Sequence, residues 1–156
     1  RQGYRYTGER DRMTDRTLAA ATLGVADNPL GIALETQPQE PRDEGGFLVP
    51  VMIRIPIGDL VLMPEADHHA AQISVFSVVR DDEGRLSDVH DRVYPIEIAN
   101  DRLLSAVAQQ AGFVLGMVLR KGPHRIAISV RDNNSMLEST AYVDVVVGTD
   151  QEGQSG

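Results

Sequence analysis

Most of the chain alternates apolar and polar residues with the period of two that is typical of half-buried β-strands. Turn-forming residues separate these stretches at short intervals, and helices do not alternate with them. Seven or so short strands in this arrangement predict an all-β fold: an antiparallel β-sandwich of the immunoglobulin or fibronectin type with a short N-terminal helix. The alternating stretches are residues 30–34, 49–57, 72–80, 86–98, 113–119, 126–130 and 141–147.

The apolar members of these stretches are expected to form the core, because each strand buries one face between the two sheets. Two valine-rich stretches, 75–79 and 145–147, are expected to be buried on both faces. Pro50 and Pro56 lack a backbone donor, which predicts an edge strand or strand ends for this part of the chain. The predicted core residues are Val49, Val51, Ile53, Ile55, Val75, Leu115, Met117, Ile126, Ile128, Val130, Val143 and Val145.

Before the first strand, apolar residues at helical spacing predict a helix over residues 9–25, with Gly24 as its stop signal. Its main large apolar residues are Met13, Leu18 and Leu23. Because the apolar face is thin, we expect the helix to dock on the sandwich. Residues 1–8 read as a strand end, since Tyr4 and Tyr6 alternate with polar residues. The predicted division is therefore 1–25, the end of an upstream domain plus a linker helix; 26–148, the β-sandwich; and 149–156, a disordered tail.

Three polar segments between the strands predict local structure. The run Asp81–Gly84 favours a type I turn with Gly84 in the left-handed conformation, and so a β-hairpin. The run Asp132–Ser135 predicts a second turn. Asn100 and Asp101 are expected to cap a short helix. The apolar residues of that helix are Leu103, Leu104 and Val107.

Composition excludes several classes of function. Fifteen Lys and Arg against 23 Asp and Glu give a net charge of −8, so the chain lacks the basic footprint of a nucleic-acid-binding protein. It has no Cys, which excludes disulfides, thiolate metal sites and thiol catalysis. No apolar run approaches the roughly 20 residues of a membrane-spanning helix, so we expect no membrane insertion.

Two histidine clusters are candidates for chemistry. His68 and His69 follow acidic residues, but neighbouring strand residues point to opposite faces, and no third ligand lies at a recognised spacing. Asp88 and His90 share a face of a strand and resemble a fragment of a catalytic triad or metal site, with Asp91 beside them. No nucleophile elbow or metalloprotease motif accompanies them. We interpret both clusters as solvated polar segments.

Oxygen-rich turns and exposed tyrosines suggest two binding functions. The turns at 81–83 and 132–134 could offer oxygen ligands to Ca²⁺, but neither has EF-hand spacing, and turn chemistry explains both. Tyr94 and Tyr142 could form a platform for carbohydrate, although aromatic residues are few. The sequence therefore assigns no catalytic, cofactor-binding or metal-binding residue, and it predicts no cofactor.

Motifs typical of β-hairpins occur at residues 51–56, 73–84 and 120–132, among other stretches. They resemble the C-terminal β domain of bacterial von Willebrand factor A-related (VWFA-related) proteins. That resemblance implies an exported protein, periplasmic or extracellular, with a von Willebrand factor A (VWA) domain upstream. The family's metal motif, Asp-x-Ser-x-Ser, lies in that upstream domain and does not occur here, so the resemblance implies no metal ligand in this chain. The motifs are found in residues 1–4, 28–32, 51–56, 60–64, 73–84 and 120–132.

Three functions follow as hypotheses. The first is a non-enzymatic accessory domain for protein–protein interaction, adhesion or spacing, whose partner is another protein or the upstream VWA domain. The alternative is a ligand-binding module for carbohydrate or calcium, which a shelf of Tyr94 and Tyr142 or a cage of oxygens would favour. The third is a hydrolase, which requires a pocket that brings together Asp88, His90 and a serine.

Overall fold

A computed structural model describes residues 2–148 of the chain, and the side chains of residues 11–148. The described chain folds into two antiparallel sheets and an N-terminal helix, so the predicted all-β sandwich is confirmed. The helices are α1 (Gln2–Leu23) and α2 (Leu103–Ala106). The strands are β1 (Ala33–Thr36), β2 (Glu40–Pro41), β3 (Phe47–Pro56), β4 (Met63–Pro64), β5 (His68–Asp81), β6 (His90–Ala99), β7 (Gln110–Leu119), β8 (Gly122–Asp132) and β9 (Glu138–Val147).

The two sheets have an immunoglobulin-type arrangement. In sheet A, β3 is central: β7 pairs along the whole of one edge, and β1 and β2 share the other. In sheet B the order is β6–β5–β8–β9, and the short β4 pairs with β5 beyond the end of β8. Several strands that are adjacent in the chain, such as β6 and β7 or β7 and β8, thus lie in different sheets, as in immunoglobulin and fibronectin type III sandwiches.

The core lies between the sheets and contains all twelve residues predicted for it. Eight are buried, whereas Leu115, Met117, Val143 and Val145 are partly buried. The stretch from Val75 to Val79 is buried on both faces, because α1 covers the outer face of sheet B. The same expectation was wrong for β9: Val146 is 46% exposed, since it lies beyond the C-terminal end of the helix.

Helix α1 begins at Gln2, earlier than residue 9, so the strand expected for residues 1–8 is wrong over residues 2–8. Arg1 lies outside the described residues. The helix ends at Leu23, and Gly24 adopts φ +69° while its N–H donates to the Ala20 carbonyl (3.0 Å). This is the left-handed glycine cap that the sequence predicted.

The helix docks on sheet B through small and polar residues more than through large apolar ones. Met13, Thr17, Ala20 and Ala21 are fully buried against the sheet. Leu18, expected to be a main contact, is only partly buried. Leu23, also expected there, is 74% exposed because it follows the last contact of the helix. Alanines at the contact let the helix backbone approach the sheet closely.

Pro50 lies in the central strand of sheet A, so the predicted edge position of this run is wrong. The ring nitrogen faces the β1 and β2 side, and β1 pairs only with residues 51–54 while β2 pairs only with residues 47–48. Pro50 therefore occupies the one gap between these two short strands, where no ladder hydrogen bond requires its N–H. Pro56 ends the strand, as expected for a residue without a donor.

The predicted hairpin at Asp81–Gly84 is confirmed. Gly84 has φ +84° and donates its N–H to the Asp81 carbonyl (3.1 Å), and Asp81 accepts from Arg85 across the turn. The short helix after β6 is also present, as a 3₁₀ turn (Asn100–Arg102) followed by α2. However, no side chain caps it, because Asn100 Oδ1 is hydrogen-bonded to His69 Nδ1 (2.8 Å) instead.

Candidate functional site

The edge strands of the two sheets differ in how they are protected against pairing with another chain. Natural edges are short, charged, proline-containing or covered. Strand β6 has charges and Pro95, β9 contains Asp144 and contacts β1 and α1, and β1 has only four residues. Strand β7 has ten residues, none of them charged or proline. It is therefore the long edge of the described sheets that lacks these protective features.

The backbone of β7 exposes a regular row of hydrogen-bonding groups. Just before the strand, the Ile57 N–H donates to the Gln109 carbonyl (3.0 Å), so the carbonyl of this odd-numbered residue points toward the β3 side. Along the antiparallel ladder every second residue repeats that pattern. Odd-numbered residues of β7 therefore bond to β3, while the N–H and C=O groups of even-numbered residues point away from it. Those residues are Gln110, Gly112, Val114, Gly116 and Val118.

The outer face beside this edge is flat and apolar. A Cβ on Gly116 would lie 3.2 Å from Leu48 Cδ1, and one on Gly112 would lie 3.3 Å from Met52 Sδ. Two large β3 side chains therefore cover the positions where β7 has no side chain. Val114 and Val118, between and beyond the glycines, are 50% and 62% exposed.

A groove of about 380 Å³ follows the β7 edge, between it and the inner face of sheet B. On the β7 side it is lined by residues 114–119, and on the other by β5, β6 and the segment between them. Tyr94 and Phe113, whose ring centroids are 4.7 Å apart, join the two sheets just before the groove begins. Beyond this contact β6 begins at His90, opposite Ser77, and Leu86 and Ser87 border the rest of β5 in its place.

Two basic residues, Arg92 and His90, line the groove. Arg92 and His90 lie opposite Val75 and Ser77 in the β5–β6 ladder, and they therefore share the inner face of sheet B. Both line the groove, and no acidic residue of the described chain does so. Neither side chain forms a hydrogen bond or ion pair with another described residue. In a chain of net charge −8, this groove is therefore lined by basic residues without acidic ones.

The structure places the adjacent histidines apart, as expected from their positions on a strand. His68 Nδ1 is 2.8 Å from Asp67 Oδ1, whereas His69 bonds to Asn100 on the other face. The hydrogen bond to Asp67 raises the pKa of His68 above its usual value, and the same bond lowers the pKa of Asp67. The pair is a local ion pair, and the described side chains, those of residues 11–148, include no group of three His, Asp or Glu arranged to hold a metal.

The carboxylate oxygens of Asp81 and Asp132, one from each acidic turn, are bonded within the protein. Asp81 Oδ1 accepts from the N–H groups of Glu83 and Arg85, and the backbone bond from Arg85 contributes most to lowering the pKa of Asp81. Asp132 Oδ1 accepts from the N–H of Asn134 (2.9 Å). Asp132 Oδ2 accepts from the N–H of Val61 (2.7 Å). The turns thus use their oxygens to hold the backbone.

The candidate carbohydrate and hydrolase residues are not brought together. Tyr94 faces the core beside Phe113, whereas Tyr142 lies on the outer face of sheet B under Arg125, whose guanidinium carbon is 4.3 Å from the ring centroid. Asp88 and His90 share no hydrogen bond, and Asp88 does not line the groove. Ser87, which does, is bonded to the backbone of Val79 and Asp88.

Sequence analysis did not identify the β7 edge. A signal was present, since ten successive residues without charge or proline, with glycines four apart, are unusual in an edge strand. The pattern shows that the strand is apolar but not that it lies at an edge, which depends on pairing with β3, more than fifty residues upstream in the chain.

No family model and no curated protein matches the chain. Solved structures resemble it at low identity. The structural-genomics target SoR45 has a TM-score of 0.48 at 14% identity, with 80% of this chain and 90% of that chain covered. ApaA from Bordetella pertussis has a TM-score of 0.47 at 13% identity, with 78% and 97% covered. A Bacteroides uniformis β-glucuronidase has a TM-score of 0.46 at 8% identity, with 75% of this chain but 13% of the enzyme covered.

Proposed function

We propose that this domain is a non-enzymatic protein-interaction module that binds its partner at the β7 edge and the adjoining outer face of sheet A. The observation that carries the proposal is the unprotected edge: ten uncharged residues with a row of outward N–H and C=O groups. Proteins that expose such an edge either pair it or aggregate through it. A bound partner that pairs with β7 would protect this edge from aggregation.

The asymmetry of the two outer faces supports the same proposal. Helix α1 covers the outer face of sheet B, with Met13 and Ala20 fully buried there. The outer face of sheet A has no such cover within the described chain, although Val114 and Val118 are exposed on it. Exposed apolar surface of this kind is typical of protein-binding sites.

The sequence motifs that resemble VWFA-related proteins suggest where the domain acts. We place the domain in an exported VWFA-related protein, periplasmic or extracellular, with adhesion or spacing as the role that binding would serve. The upstream VWA domain and a separate protein are both eligible partners. Residues 2–148 contain no helix that combines the length and apolar character needed to cross a bilayer.

The carbohydrate or calcium alternative has no supporting observation. Tyr94 and Tyr142 lie on opposite faces of sheet B, so they do not form one shelf. Both oxygens of Asp132 already accept backbone hydrogen bonds.

Site-specific photocrosslinking in the native cells tests the proposal. p-Benzoylphenylalanine replaces Val118 in the full native protein, and crosslinked species are identified by mass spectrometry. We expect adducts with one or a few proteins. The matched control places the same group at Val25, which is 58% exposed and lies outside both sheets. Equal adducts at both positions, or no protein adduct at Val118, would reject the proposal.

A further inference from the structure

The groove beside β7 lies where an additional strand of sheet A could pair with β7. Constant-type immunoglobulin domains place a fourth strand next to the strand that corresponds to β7. Here the strand between β5 and β7 is β6, which pairs with β5 in sheet B, and the remaining residues 100–109 form the 3₁₀ turn and α2. The described chain therefore leaves the position beside β7 open.

A strand at this position could form backbone hydrogen bonds with β7 and pack its side chains in the groove. Its backbone would pair with the outward groups of Gly112, Val114, Gly116 and Val118. Every second side chain would point inward, into the groove between β7 and the end of β5 that lies beyond β6. There the neighbours are core-facing Val79 and Leu115, so apolar side chains would extend the existing core.

The charge of Arg92 favours an acidic strand over a second copy of this chain as the occupant of the groove. A second copy of the chain, paired edge to edge, would bring its own Arg92 toward this one and place like charges together. A strand with a carboxylate at an inward position would instead pair with Arg92, which has no partner among the described residues. An inward cation in a desolvated groove requires such a counter-charge.

We propose, on the basis of the protein-binding function above, that the partner adds an extended strand to β7, with alternating apolar side chains and a carboxylate facing Arg92 and His90. The strand supplies main-chain hydrogen bonds for affinity, and its inward side chains supply specificity. The ligand is thus an acidic, apolar peptide segment in β conformation.

Selection from a displayed library of random twelve-residue peptides against the purified chain tests this proposal. We expect enriched sequences in which apolar residues alternate and Asp or Glu occupies one position of the apolar register. A synthetic copy of the most enriched peptide should slow amide exchange at Gly112, Val114, Gly116 and Val118. Lack of enrichment, or protection confined to other amides, overturns the proposal.

Two variants test the two contacts separately. Arg92→Glu should change the enriched charge from acidic to basic, whereas Arg102→Glu, on the exposed 3₁₀ turn, should leave it acidic. Val118→Pro should weaken peptide binding at least tenfold because it removes an outward N–H, whereas Val118→Thr keeps that N–H and should bind as the parent does. Circular dichroism of each variant verifies folding.

The outcomes distinguish this inference from the proposed function. Peptides that bind and protect amides outside β7 overturn strand addition but leave a protein-binding module in place. Absence of protein adducts at Val118 in cells rejects the proposed function itself. An unchanged charge preference in Arg92→Glu contradicts the role given to Arg92.

Discussion

At the scale of single residues, the polar groups that sequence analysis considered as ligands act as structural contacts. Asp132 is fully buried and connects the β8–β9 turn to the segment before β4. Asn134 extends the same connection by donating to the Val61 carbonyl (2.7 Å). The residue types were identifiable from the sequence, but their partners were not, since Val61 lies some seventy residues away.

Replacing Asp132 tests this contact. Asp132→Ala removes the acceptor of two backbone N–H groups and is expected to lower the free energy of unfolding by roughly 3 kcal/mol, the usual scale for buried hydrogen bonds to a charged group. Urea denaturation measures the change. Asp88→Ala, at an exposed aspartate, is the control and should change stability by less than about 0.5 kcal/mol. A loss that small for Asp132→Ala would contradict the role assigned to its carboxylate.

The His68–Asp67 pair makes stability depend on pH in a defined window. The bond raises the pKa of His68, so its contribution is present below the unfolded-state pKa and is lost as pH rises through the folded one. It lowers the pKa of Asp67, whose contribution is present above its unfolded-state value and is lost as pH falls through the folded one. Both contributions are therefore complete between about pH 4 and pH 6.5.

An NMR titration of the His68 ring checks the direction. We expect its pKa to lie above the usual value of about 6.5 and to fall in Asp67→Asn, because an amide cannot stabilise the imidazolium as a carboxylate does. Asp88→Asn should leave the His68 pKa unchanged. A His68 pKa that does not respond to Asp67→Asn would show that the pair does not form in solution.

At the scale of elements, the sequence predicted turns and the Gly24 helix cap correctly, but it did not predict which strands pair. The Asp81–Gly84 hairpin and the Gly24 helix cap depend on residues within one turn, and both follow from the sequence. The position of Pro50 depends on where β1 and β2 end, and the use of Asn100 depends on His69. These long-range relations decided where the sequence-based interpretation failed.

The docking of α1 rests on a buried polar chain as well as on packing. The hydroxyls of Thr17 and Ser129 are 2.7 Å apart, and those of Ser129 and Thr140 are 2.9 Å apart. All three residues are buried, so hydrogen bonds that are shielded from water join α1, β8 and β9. Met13 supplies the large apolar contact.

Alanine substitutions along α1 should reduce the free energy of unfolding in proportion to the burial of each side chain. Met13→Ala is expected to lower the free energy of unfolding by about 2–5 kcal/mol, since it removes a fully buried large side chain. Leu18→Ala should cost less because Leu18 is partly buried, and Leu23→Ala should have almost no effect. Thermal denaturation ranks the three. A Leu18 effect larger than that of Met13 would mean that the helix docks on a different face.

At the scale of the whole molecule, the alternating pattern was enough to predict two sheets and their core. It could not show which outer face would be covered, because that depends on the helix, whose contact residues are mostly small or polar. The open β7 edge is a property of the assembled sheets for the same reason. Its even-numbered residues are ordinary strand residues in the sequence and become a binding edge only when β3 occupies the other side.

The most direct test of the account is amide hydrogen exchange of the free chain, followed residue by residue by NMR. If the β7 edge is open, the N–H groups of Phe113, Leu115 and Met117 are slow because they bond to β3, while those of Val114, Gly116 and Val118 exchange fast. An alternation of fast and slow amides along the strand is the predicted result. Uniformly slow exchange from residue 113 to residue 118 would show that the edge is already covered, and it would contradict the account.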